Sequence, residues 1–102
     1  SDVIEVWHND GDQILAYRRK DLVFVFNFNP TRSFTDYGFL VPRGAYDVVL
    51  NTDNKQFGGF GFSDDSLRHF TCADPLYAKD KKEWLKLYVP ARSAVVLKRV
   101  KD

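Results

Sequence analysis

Apolar residues recur at every second position along most of the chain, and no run sustains the 3.6-residue spacing of an amphipathic helix. The pattern predicts strands. Gln13 to Arg18 places Ile14 and Ala16 on one face and Leu15 and Tyr17 on the other. Leu22 to Phe28 is the strongest signal, with Leu22, Phe24, Phe26 and Phe28 on one face and Val23 and Val25 on the opposite one. Both of its faces are apolar, so it needs cover on two sides. Phe34 to Val41 follows, then Ala45 to Asn51 with Tyr46, Val48 and Leu50 facing one way. Arg68 to Cys72, Trp84 to Val89 and Ala94 to Val100 complete the series.

Turn chemistry separates these runs. Arg19-Lys20-Asp21 is a short turn, and Asn29-Pro30-Thr31 stops a strand because proline cannot donate to a ladder. Val41-Pro42-Arg43-Gly44 favours a type I turn. Asn51 to Asp65 is a long polar, glycine-rich loop, Pro75 lies in another loop, and Pro90-Ala91-Arg92 turns into the last strand. Seven runs at spacings of about eight to twelve residues predict an all-β fold. The expected architecture is an antiparallel β-sandwich of about seven to eight strands with Greek-key-like connections. Residues 13–102 form this domain; residues 1–12 read as a lead-in, with Trp7 as an anchor and a turn at Asp10-Gly11-Asp12.

Composition narrows the class. With 102 residues there is room for one domain. Aromatic residues make up 16% of the chain, which suits pleated, half-buried surfaces. The chain has no Met, and we read it as a fragment or a processed form. A net charge of +1, with both signs interspersed, argues against a nucleic-acid partner, which selects a basic stripe. The local basic clusters Arg18-Arg19-Lys20 and Lys79 to Lys82 read as solvated turns. No apolar run reaches the ~20 residues of a membrane helix, and no signal peptide is visible at the N-terminus. The single Cys72 permits no internal disulfide; it fits a reducing, cytoplasmic setting and reads as a small core residue.

Candidate chemistry is sparse. Phe57-Gly58-Gly59-Phe60-Gly61-Phe62 lacks the strand-to-helix context and the Lys-Ser/Thr of a phosphate loop, so its phenylalanines are expected to pin a loop onto a core or a partner. Asp53, Asp64, Asp65, Asp74 and Asp80 fall in loops, whereas glycosidase carboxylates must be held rigidly across a cleft. His69 and Cys72 make half a zinc site at best, and no serine sits in a Gly-x-Ser-x-Gly elbow. Neither a cofactor nor a metal is expected. Trp84, Tyr88, Tyr77 and Trp7 could form a stacking platform for sugar rings, or pack against a core or a neighbouring domain. Phe57, Phe60, Trp84 and Tyr88 are the candidate contacts to glucan or to another domain.

Several stretches together resemble one family. They are Asp21-Leu22-Val23-Phe24-Val25-Phe26-Asn27-Phe28-Asn29-Pro30, Ser33-Phe34-Thr35-Asp36-Tyr37, Gly44-Ala45-Tyr46-Asp47-Val48-Val49-Leu50-Asn51-Thr52-Asp53, Phe57-Gly58-Gly59, and Tyr88-Val89-Pro90-Ala91-Arg92-Ser93-Ala94. In this order and with these gaps they resemble the C-terminal region of 1,4-α-glucan branching enzymes, most of all the eukaryote-like subgroup. Lys20 stands where many relatives carry Gly, and Phe62 where many carry Arg. The resemblance implies a parent enzyme of the α-amylase superfamily acting in glycogen biosynthesis, whose Asp nucleophile and Glu acid/base lie on a (β/α)8 barrel. A barrel needs about 250 residues, so no catalytic residue carries over to this chain. The resemblance further implies that residues 1–12 lead in from that barrel and that the domain packs on it and stabilises it. The alternative is a surface module that binds α-glucan.

Overall fold

The computed structural model describes residues 3–53 and 66–100. Eight strands are found among them: β1 (Ile4–Asn9), β2 (Ile14–Arg19), β3 (Leu22–Asn27), β4 (Phe34–Pro42), β5 (Ala45–Asn51), β6 (Arg68–Phe70), β7 (Lys82–Val89) and β8 (Ser93–Val100). A large sheet has the order β1-β2-β3-β8-β5-β6, and a small sheet pairs β4 with β7. Every pairing is antiparallel. The all-β sandwich expected from the periodicity is the fold.

The core is the space between the sheets. Val23 and Val25 of β3 and Leu97 of β8 face Phe39 and Val41 of β4 and Leu85, Leu87 and Val89 of β7. Phe39, Val41, Leu85 and Val89 are fully buried, each burial contributing roughly 1.5–3 kcal/mol. Ile14, Ala16 and Tyr46 extend the same cluster. Tyr46 also donates its hydroxyl to the carbonyl of Pro42 at 2.7 Å, clamping the segment that carries the chain from the small sheet to the large one. That segment, expected to be a simple type I turn, is a sheet crossing in which Gly44 has φ +155°; a Cβ there would lie 2.9 Å from Nε of Arg99. Glycine avoids both costs.

Two further crossings meet at one end of the sandwich, β3 to β4 through residues 28–33 and β7 to β8 through residues 90–92. They are laced together by groups that are otherwise hard to bury. The Asn27 amide donates to the carbonyls of Arg32 (2.9 Å) and Val89 (3.3 Å), and its oxygen accepts the Asn29 N–H at 2.8 Å. Asn29 Oδ1 in turn accepts the N–H groups of Thr31 and Arg32. Arg92 N–H donates to the Asn29 carbonyl at 3.1 Å, and Ala91 N–H donates to Ser33 Oγ at 2.9 Å. The polar residues of the Asn27-Phe28-Asn29-Pro30 stretch are thus a corner device.

Four other local expectations change. Residues 4–9, read as part of a lead-in, form edge strand β1, whose alternation is masked by an irregularity between Glu5 and Trp7. Leu50 does not share a face with Tyr46, because a register shift between Val48 and Leu50 inserts Val49 and leaves Leu50 exposed. Cys72 is exposed and not in the core. The chain has left β6 by then, and Cys72 makes an isolated backbone bridge with Trp84. The Pro75 loop holds a short 3-10 helix, Pro75–Asp80, started by Asp74, whose side chain accepts the Leu76 N–H.

Candidate functional site

Strand alternation sends Leu85, Leu87 and Val89 of β7 into the core and leaves Lys82, Trp84, Lys86 and Tyr88 on the outer face of the small sheet. Trp84 pairs across from Leu40, and next to Leu40's strand neighbour Gly38. A Cβ on Gly38 would approach the Trp84 ring to 3.2 Å, so the indole lies directly over the β4 backbone there. Its N–H donates to Asp74 Oδ2 at 2.9 Å, and Tyr77 of the 3-10 helix meets the ring edge-on at 5.8 Å between centroids. The Trp84 indole, and after it the Leu76 N–H, hold the Asp74 carboxyl below the usual carboxylate range. Trp84 is half-buried and locked from three directions, while Tyr88 lies further along the same outer face.

The four-ring platform does not assemble. Trp7 sits on β1, where its indole N–H donates to the Tyr37 hydroxyl at 2.8 Å, and Tyr37 donates to Asp12 Oδ2 at 3.0 Å. Burial is the main reason that the Tyr37 phenol is pushed above its ordinary pKa. Only Tyr77 joins Trp84. Phe57 and Phe60, with Asp64 and Asp65, lie outside the described residues.

The other loop aspartates among the described residues lie in turns or at helix ends. Asp53 is buried, and its N–H is accepted by Asn51 Oδ1 at 2.9 Å. Asp74 caps a helix, and Asp80 ends it. Asp47 binds Arg68 at 2.8 Å on the surface, and that hydrogen bond lowers its pKa. His69 pairs opposite Tyr46 and is pushed toward the neutral form by burial. Among the described residues no three His, Cys, Asp or Glu side chains cluster as a metal site. No helix among them is long and apolar enough to cross a membrane.

A second aromatic assembly is more extensive. On the outer face of the large sheet Tyr17 stacks on Phe24 (5.0 Å, 15°) and on Phe26 (5.8 Å, 24°), and Phe26 stacks on Phe28 (5.8 Å, 9°). Phe28 is 61% exposed at the end of this ladder. The sequence signal was the two-faced apolar strand; Tyr17 joins through the β2–β3 register, which sets it opposite Phe24.

The comparisons with known proteins agree with this architecture. The sequence matches the family described as "Alpha amylase, C-terminal all-beta domain" over residues 5–100. It is 42% identical over 90 residues to a 1,4-alpha-glucan-branching enzyme of Emericella nidulans, covering 87% of this chain and 13% of that protein. It is 39% identical over 90 residues to the enzyme of that name from Saccharomyces cerevisiae, covering 87% and 12%. For the Dictyostelium discoideum enzyme of that name the identity is 40% over 99 residues, covering 95% and 14%. The chain therefore spans about 13% of the length of the curated relatives it matches. With eight strands in two packed antiparallel sheets and a family match across nearly its whole length, the chain belongs to the α-amylase C-terminal all-β domain family.

Proposed function

We propose that the chain is the non-catalytic C-terminal domain of a 1,4-α-glucan branching enzyme, a cytoplasmic glycosyltransferase that forms α-1,6 branches in glycogen. Its role is to pack on the catalytic barrel and stabilise it. The observation that carries this reading is the alignment of nearly the whole chain with about one-eighth of the length of proteins bearing that name. The local chemistry supports it. The Asp74 carboxylate is spent on a helix cap and on the Trp84 indole, and the inter-sheet space is filled with side chains.

The competing reading is a surface module for α-glucan built on Trp84 and Tyr88. A sugar platform needs a ring face open to the ligand with free polar groups beside it. Trp84 spends its N–H on Asp74, lies against Gly38, and is met by Tyr77. Maltoheptaose titrated into the 102-residue chain separates the readings. We expect no perturbation of Trp84 fluorescence or of amide resonances on β7 at millimolar sugar. Saturable shifts centred on Trp84 and Tyr88 would replace the supporting role with glucan binding. The parent enzyme should turn amylose into a glucan with α-1,6 linkages detectable by NMR.

A further inference from the structure

We infer that the outer face of the large sheet is the surface through which the domain seats on the catalytic part of its own polypeptide. This deepens the reading above and rests on it. Cross-strand register shows how far the apolar face extends. Leu15 lies opposite Phe26, Tyr17 opposite Phe24, Phe24 opposite Val96, and Val96 opposite Leu50. Directly paired residues point to the same side of a sheet, so four adjacent strands, β2, β3, β8 and β5, contribute to one apolar surface. Most of its members are half-buried by one another. Leu50 and Phe28 are 41% and 61% exposed.

The rim has a different chemistry. In the same register Glu5 lies opposite Tyr17 and His8 opposite Leu15, and these two side chains meet at 3.1 Å. On the far side Asp47 lies opposite Arg68, and the two form an ion pair at 2.8 Å. Arg19 and Lys98 flank Leu22. An apolar centre with a charged rim is the anatomy of a protein–protein contact. Phe28 lines two open clefts of about 470 and about 380 Å³. Among the described elements the 3-10 helix packs on β7, in the other sheet.

Area chooses the occupant. Strands lie about 4.8 Å apart and outward residues recur about every 6.8 Å, so four strands and two to three outward positions give a patch of roughly 260–390 Å². Counted over both partners, that is about 520–780 Å², at the lower end of the roughly 600–1,500 Å² of contacts between domains of one chain. A free-standing specific complex buries about 1,200–2,000 Å², so a second copy is under-sized for this patch. Covalent linkage removes most of the entropy cost of association and makes a contact of this size sufficient. The relatives supply the partner, since more than four-fifths of their length lies outside the matched region.

Hydroxyl-radical footprinting of the full-length parent enzyme and of the 102-residue chain tests this. Tyr17, Phe24, Phe26 and Phe28 should be oxidised at least about five-fold more slowly in the full-length enzyme, while Tyr88 on the other sheet reacts at similar rates in both. A Phe26→Asp substitution in the full-length enzyme should restore oxidation at Tyr17 and Phe28. Equal oxidation of the four rings in the two proteins would overturn the inference. So would protection in the 102-residue chain that grows with its concentration, which assigns the face to a second copy. A parent that protects the rings yet forms no α-1,6 linkages in amylose would discard the branching-enzyme reading and leave the seating surface standing. An active parent with unprotected rings would do the reverse.

Discussion

The two sheets present outer faces that use aromatic residues in opposite ways. On the small sheet Trp84 is satisfied within the domain: Gly38 beneath it, Asp74 on its N–H, Tyr77 at its edge. On the large sheet Tyr17, Phe24, Phe26 and Phe28 are satisfied mainly by one another, in a stack whose last ring is largely exposed. The first arrangement holds a peripheral 3-10 helix and one long strand in register. The second is held together within one face and leaves apolar area unpartnered at Phe28. An aromatic in a strand is therefore not evidence of a ligand site until its ring edges and polar atoms have been traced to their partners.

That contrast can be broken by substitution. In the 102-residue chain Trp84→Ala should cost about 3 kcal/mol, since it removes a packed ring and strands the Asp74 carboxylate and Tyr77. Phe28→Ser should cost about 0.5 kcal/mol or less, because its ring is mostly in water already and carries no hydrogen bond. Urea denaturation with a shared m-value reads both. Comparable losses at the two positions would show that the large-sheet ladder is as much a part of the domain's own stability as Trp84.

The electrostatics sharpen the same comparison more gently. Asp74 is held below its ordinary pKa first by the Trp84 indole N–H and then by the Leu76 N–H, and Asp47 is held down by Arg68. A carboxyl depressed in the folded state adds stability above its unfolded pKa, near 3.9, and that stability is lost as pH falls through the folded value. Trp84→Phe keeps a ring in place but deletes the donor, so the Asp74 pKa should move up toward the ordinary range while Asp47 stays where it is. Arg68→Gln should do the converse. Carboxyl carbon chemical shifts followed from pH 6 to pH 2 measure both, and movement of both carboxyls in either variant would show that the two faces are coupled.

Local patterns made much of the fold legible, and nonlocal pairing hid the rest. Leu22 to Asn27 was visible because its alternation is unbroken and β-rich; it pairs with β2 through a two-residue turn that the sequence also marks. Strand β1 was missed because an irregularity after Glu5 throws Trp7 out of the alternation, and because its residues are mostly exposed. The outer apolar face of the large sheet was half visible: Leu22, Phe24, Phe26 and Phe28 announced a second apolar face. Its width depends on Val96 meeting Phe24 across the β3–β8 pair, and nothing local encodes that pairing. The four aromatic residues Trp7, Tyr77, Trp84 and Tyr88 do not all come together for the same reason, since Trp7 and Trp84 lie on strands of different sheets. Asn27 and Asn29 looked like strand-end residues, and only the meeting of two crossings reveals them as the groups that satisfy each other's backbone.

The smallest expected effect concerns the turn that joins the two ladder strands. Arg19 pairs with Leu22, which leaves Lys20 and Asp21 as the entire loop, and Lys20 has φ +54°. A side chain in that left-handed region crowds its own carbonyl, at a cost of about 1–2 kcal/mol that glycine avoids. Glycine gives back part of that gain because the unfolded chain becomes more flexible, by roughly 0.4–1 kcal/mol. Lys20→Gly should therefore stabilise the 102-residue chain by about 0.5–1 kcal/mol. Slower amide exchange should accompany it on β2 and β3, where Tyr17 and Phe24 sit. The Lys20 ammonium makes no difference to this expectation, since the gain comes from the backbone; Lys20→Ala, which removes the charge and keeps the Cβ, should leave stability within about 0.3 kcal/mol of the starting protein. Equal gains from the glycine and alanine variants would trace the effect to charge in the Arg18-Arg19-Lys20 cluster and not to the strained turn.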